Sequence, residues 1–239
     1  MKWRSVGVIG LCGAFSVLVP EASLAHLGHP GYSGLISTPD ATVLPQGHLA
    51  LSFTLLEGTE TYLFAPRTNR IYAVTVGILP GLEATLRQTQ VIGWYDPEAP
   101  GVAHALDRMV SAKYQFPLSG PLKLAIGIQD IASANFLAGI RGHGASSTQY
   151  GQSTLYSVLG STSEGFTWHA GWGASHSFIN GAFAGVAYRP LPWLEFMAEY
   201  DSRRFNWGTG LSPINPVRLQ LTQIGSSTLS LSSSFIIAL

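Results

Sequence analysis

After residue 47 the chain runs in stretches of about nine residues whose apolar and polar side chains alternate, with short and long connections between them. A period of two marks strands, because successive side chains point to opposite faces of a sheet. From Leu122 to Asp130, Leu122, Leu124, Ile126 and Ile128 share one face, and Lys123, Ala125, Gly127 and Gln129 share the other. One face suits lipid and the other water, the pattern of a transmembrane β-barrel. After residue 25 no apolar run is long enough for a spanning helix. A membrane crossing must then be made by strands, and only a closed sheet pairs every backbone group in hydrocarbon.

Composition agrees with this reading. Charged residues make up 11% of the 239, against roughly 25% in soluble proteins, and Gly, Ser and Thr stand in their place. Lys plus Arg equals Asp plus Glu at 13 each, so no field for a polyanion exists and nucleic acid is not an expected partner. Lys2 and Arg4 precede the apolar run Val6 to Val19, followed by Pro20 and Ala22-Ser23-Leu24-Ala25, the layout of a cleaved signal peptide over residues 1–25. The only cysteine, Cys12, lies inside it, so the mature chain is expected to carry no disulfide.

Eleven strands are expected, at 48–56, 70–78, 82–90, 108–116, 122–130, 152–161, 166–174, 182–188, 194–200, 216–222 and 228–238. Turn-forming residues at 79–81, 117–121, 163–165, 190–192 and 224–226 make the short connections, and 57–69, 91–107, 131–151 and 201–215 make the long ones. Bacterial single-chain barrels have an even strand count, so the expected fold is an all-β antiparallel barrel of roughly 10–12 strands over 48–239. A missed strand is sought at 133–140 or 34–43, and 182–188 reads as a partial one. Aromatics near strand ends, among them Tyr62, Trp94, Tyr114, Tyr188, Trp193, Tyr200 and Trp207, suit interfacial girdles. The final strand alternates to Leu239 with a gap at Ser233 and resembles the C-terminal strand that the assembly machinery reads, although it ends in Leu rather than an aromatic.

Gly34-Leu35-Ile36-Ser37-Thr38-Pro39-Asp40-Ala41-Thr42-Val43-Leu44-Pro45-Gln46-Gly47 resembles the N-terminal block of YjbH-like proteins, a group associated with bacterial exopolysaccharide production. Gly127-Ile128-Gln129-Asp130-Ile131, Pro192-Trp193-Leu194, Glu199-Tyr200-Asp201 and Pro213-Ile214-Asn215 are compatible with it. The chain departs from the pattern where Ala132-Ser133 replaces a Gly-Thr pair, and many members are longer. The resemblance implies an outer-membrane β-barrel working in synthesis or export of a polysaccharide. Its partners would be outer-membrane lipid, the barrel-assembly machinery, polysaccharide and other exopolysaccharide-system proteins. Physically, Thr38-Pro39 and Leu44-Pro45-Gln46-Gly47 read as two rigid turns leading a periplasmic segment, 26–47, into the first strand, with a plug or docking element as the other reading.

No constellation for catalysis appears. None of the seven histidines has a serine two places on, and there is no Gly-x-Ser-x-Gly elbow or phosphate loop. No metal or cofactor is expected; His26 and His29 read as solvated tail residues, and His169 as a lumen histidine bonded to a neighbour. Six inward charges are the candidate lumen lining: Glu83, Arg87, Lys113, Glu195, Glu199 and Arg218. They either set the selectivity of an aqueous passage or form an ion-pair network that fills the interior. The expected function is a non-enzymatic conduit or scaffold in exopolysaccharide production. The alternatives are a small-solute porin and a secreted or periplasmic carbohydrate-binding β-sandwich.

Overall fold

In the computed structural model, residues 26–57, 68–92, 104–131, 154–174 and 179–239 are described. The expected signal peptide and the 133–140 segment lie outside them. Twelve antiparallel strands close on themselves: β1 (His48–Glu57), β2 (Asn69–Leu79), β3 (Leu82–Ile92), β4 (His104–Phe116), β5 (Leu122–Gln129), β6 (Thr154–Ser163), β7 (Phe166–Ala174), β8 (Gly181–Leu191), β9 (Leu194–Tyr200), β10 (Phe205–Ile214), β11 (Val217–Ile224) and β12 (Thr228–Ala238). The seam runs from His48 opposite Ala238 to Glu57 opposite Leu229. Every strand therefore has two paired edges, which excludes the two-sheet sandwich.

The strand missing from the sequence expectation is β10. It lies in the 201–215 stretch expected to be a long loop, and 34–43 contributes no strand to the barrel. Phe205, Trp207 and Leu211 face outward and Asn206, Gly208 and Gly210 inward, but flanking Gly, Asn and Pro mimic loop composition. The glycines have a packing reason: a Cβ at Gly210 would meet the Arg218 guanidinium. Restoring β10 moves the 225–227 turn to the opposite end of the barrel. The segment 182–188 is no partial strand either, since β8 extends to Leu191.

Alternation holds around the wall. Leu51, Leu86, Ile126, Leu155, Trp172, Phe196, Trp207 and Leu231 are exposed on the outside, while Thr54, Thr85, Ala125, Tyr156, His169 and Glu195 are buried. An outer surface this apolar is stable against acyl chains rather than water. Among the expected girdle residues, Tyr114, Tyr188, Trp193, Tyr200 and Trp207 are exposed; Tyr62 and Trp94 lie outside the described residues. Both ends of the barrel proper, and the turns after β2, β4, β6, β8 and β10, share one end, here the turn end; the opposite one is the loop end.

Residues 26–47 do not lie free beside the barrel. They fill its lumen as a plug: Leu27, Tyr32, Leu35, Ile36, Ala41 and Leu44 are all buried. The plug folds on itself through the bridges Leu27–Ser33 and Gly34–Pro39 and the His29 amide to Ile36 carbonyl bond of 2.8 Å. Gly31 turns it with φ +93°, a left-handed conformation, and a Cβ there would collide with the Cβ of Ala73 on β2. Among the described residues the plug contributes to three apolar clusters, Leu35 and Ile36 packing with Leu56, Ile71 and Met197, Ala41 with Phe183, and Leu27 and Leu44 with Ala50.

Candidate functional site

The candidate site is the contact between the plug and the polar inner wall. All six charges expected to face inward do so, on β3, β4, β9 and β11. What they line is a filled interior.

Glu83 and Lys113 hold the limb of the plug that leads to β1. The Glu83 carboxylate accepts from the Ser33 hydroxyl at 2.5 and 2.6 Å, the Ser33 amide at 3.2 Å and the Leu44 amide at 2.8 Å. Lys113 donates to the Ser33 carbonyl at 2.8 Å and the Asp40 carbonyl at 3.1 Å, with Asp40 Oδ1 at 3.4 Å and Glu83 Oε1 at 3.5 Å. An ammonium this deeply buried is tolerable only with such carboxylate partners. Burial by itself would raise the Asp40 carboxyl, but the Lys113 charge and the Thr42 hydrogen bond outweigh it and hold the group below its ordinary range.

Glu199 holds the tip. It accepts from the amides of Ile36, Ser37 and Thr38 at 3.1, 2.6 and 3.3 Å, from the Thr38 hydroxyl at 2.8 Å and from Asn206 Nδ2 at 2.9 Å. Thr38 Oγ1 also lies 2.8 Å from His169 Nε2, the neighbour that this lumen histidine was expected to find. Gln220 donates to the Leu35 carbonyl at 2.8 Å, and Thr75 to the Gly31 carbonyl at 2.6 Å. The wall thus recognises chiefly the plug's main chain.

Glu195 and Arg218 are paired to each other at the turn end, and Arg189 approaches Glu195 at 3.3 Å. His26 completes the group: Arg189 donates to its Nε2 at 2.8 Å, and its Nδ1 lies 3.1 Å from Glu195 without hydrogen-bond alignment. Burial, then the Arg218 charge, lowers the His26 pKa. His29 is buried too, and burial followed by the Arg87 charge brings its pKa down to about 3. Both histidines are neutral parts of the plug, not the solvated tail expected from sequence; a terminus near a barrel mouth gives no sign that it will be drawn inside. Arg87 lies beside His29 in a polar recess with Tyr32, Ser37 and Asp201.

Sequence reasoning did not single out Arg189, Asn206 and Gln220 as partners. Arg189 lies one residue beyond the expected end of its strand, and Asn206 is on the strand taken for a loop. Gln220 alternates correctly, but nothing in its own strand marks the carbonyl it meets.

Among solved structures, one described as "Unveiling the Mechanism Behind the in-meso Crystallization of Membrane Proteins" is similar at 10% identity over 79% of this chain and 83% of that one, with a TM-score of 0.39. Neisserial surface protein A (NspA) is similar at 11% identity over 80% and 96%, with a TM-score of 0.26. The outer membrane channel DcaP of Acinetobacter baumannii is similar at 9% identity over 80% and 96%, with a TM-score of 0.29. No curated protein matches. The family model described as "Exopolysaccharide biosynthesis protein YbjH" matches residues 26–214, from the start of the plug to the end of β10. A match over this much of the chain makes the protein a member of the YjbH exopolysaccharide biosynthesis family.

Proposed function

We propose that the protein is an outer-membrane β-barrel that contributes to exopolysaccharide production as a non-enzymatic scaffold, with its lumen closed by its own N-terminal segment. The apolar outer wall and the closed sheet support a membrane setting, and the family supports the polysaccharide role. One observation carries the choice of scaffold over open conduit or porin. The plug that bears the family-like block Gly34–Gly47 is bound by Glu83, Lys113, Glu199 and Gln220 and packed into three apolar clusters.

Gene deletion and complementation, with secreted polysaccharide quantified, test the role. The deletion is expected to reduce polysaccharide and the full chain to restore it; unchanged output would refute the proposal. Fractionation tests the setting, with the protein expected in the detergent-extracted outer membrane as a heat-modifiable band and not in the soluble periplasm.

A further inference from the structure

The outer wall carries little charge. Among the described strand residues only two cations point outward, Arg70 on β2 and Arg108 on β4, and both are exposed. Register brings them to one stretch of wall. Arg70 is opposite Gln90 of β3, and Arg108 is opposite Gln88, the next outward residue of that strand. Tyr72, also exposed, lies on the other side of Gln88. Glu57, which ends β1 two places beyond the Leu55 opposite Arg70, is not ion-paired with either arginine.

The two arginines stand at one level of the barrel. Arg70 is nine residues from Leu79 at the turn end of β2, and Arg108 eight from Phe116 at the turn end of β4. At a rise of about 3.4 Å per residue and a tilt of about 40°, both lie roughly 22 Å above the turns, near the far border of an apolar band about 25 Å tall. Short turns face the periplasm in such barrels, so this border belongs to the outer leaflet. On its membrane side the next row is Val74, Leu86 and Val110, all exposed. Cations above such a row meet lipid headgroups, and a guanidinium grips phosphate with two parallel hydrogen bonds. Two strand spacings and two residues separate the two Cα atoms, about 12 Å. Two side chains of this length reach the two ends of a doubly phosphorylated disaccharide, with the Gln88 and Gln90 amides between them.

We infer that Arg70 and Arg108 bind the phosphorylated headgroup of an outer-leaflet glycolipid of the lipid A type, whose acyl chains lie on the row of Val74, Leu86 and Val110. The inference rests on the outer-membrane reading and adds to it a lipid partner held on the outside of β2 to β4.

The test titrates the full chain, folded in detergent and heat-modifiable, with bis-phosphorylated lipid A and counts bound molecules by native mass spectrometry. One saturable site is expected. The Arg70→Gln/Arg108→Gln double variant should weaken it at least about tenfold, whereas Lys123→Gln, which removes a cation near the turn end of β5, should not. If the double variant does not assemble, Arg108→Gln alone carries the comparison. Absence of a saturable site, equal binding by the variant, equal binding of lipid A stripped of its phosphates, or binding of inorganic pyrophosphate as tight as that of lipid A overturns the proposal. A barrel dimer that the double variant dissociates also overturns it, because a second copy then occupies this face. Recovery of the protein in the soluble periplasm would defeat the outer-membrane reading itself, a result that fractionation gives before any titration.

Discussion

Glu199 of β9 and Thr38 of the plug are 161 positions apart in sequence, yet the Thr38 hydroxyl donates to the Glu199 carboxylate at 2.8 Å. The same carboxylate accepts the amides of Ile36, Ser37 and Thr38, so a single wall residue serves the whole tip. Glu199→Ala leaves those buried donors without an acceptor and is expected to cost about 3 kcal/mol. Glu199→Gln retains one acceptor oxygen and should cost less. The urea midpoint of the folded, heat-modifiable band measures both, and an unchanged midpoint for the alanine variant would contradict the assignment.

Lys113 lies between two carboxylates, Asp40 of the plug and Glu83 of β3. Lys113→Met leaves buried negative charge unpaired and is expected to destabilise by about 3 to 5 kcal/mol. Adding Glu83→Gln removes part of that charge, so the double variant should lose less than the sum of the singles. Strict additivity in the double-mutant cycle would argue against the coupling.

Ile126 faces outward at the middle of β5, and Ala125 faces inward. Ile126→Arg is expected to cost about 2 to 4 kcal/mol near the bilayer midplane and to reduce the amount of assembled barrel. Alternation alone would make Ala125→Ser a harmless lumen change. The structure instead packs Ala125 with Tyr156, Val158 and Phe183, so burial of the added hydroxyl is expected to cost about 1 to 2 kcal/mol. Immunoblots of folded and unfolded bands read out both variants.

Acid should loosen the plug. The His29 pKa is lowered from 6.5 to about 3 in the folded chain, so below pH 6.5 the unfolded chain binds the proton first. Stability is full above that pH and falls progressively toward pH 3, by a few kcal/mol in all. The lowered Asp40 carboxyl acts in the same direction at the acid end, its contribution being present above 3.8 and lost as pH falls through its folded value. His29→Gln should flatten the unfolding profile between pH 6 and 4; an identical profile would remove His29 from the account.

The filled lumen predicts electrical silence. In planar bilayers the full chain should show no steady conductance, whereas deletion of residues 27–43 should open discrete channels in barrels that still shift on heating. Open channels in the full chain would favour a porin.

Much of the wall was legible because its physics is local. Lipid outside and a polar interior impose alternation on each strand separately, so Leu122 to Gln129 or Leu194 to Tyr200 declares its two faces without reference to any neighbour. The same rule placed Glu83, Arg87, Lys113, Glu195 and Glu199 inside and turned Arg218 inward to pair with Glu195. It failed at β10, where Gly208 and Gly210 occupy inward positions and imitate a loop.

The sequence by itself determined that the chain is a strand-built barrel, which side chains its wall turns inward, and which family its N-terminal block resembles. Only the tertiary structure decided what the inward charges are for. Plug and wall meet largely through main-chain amides and carbonyls, such as those of Ser33, Ile36 and Asp40. Every residue but proline carries both groups, so no side-chain pattern can announce which carboxylate or ammonium will find them until the barrel has closed around the segment.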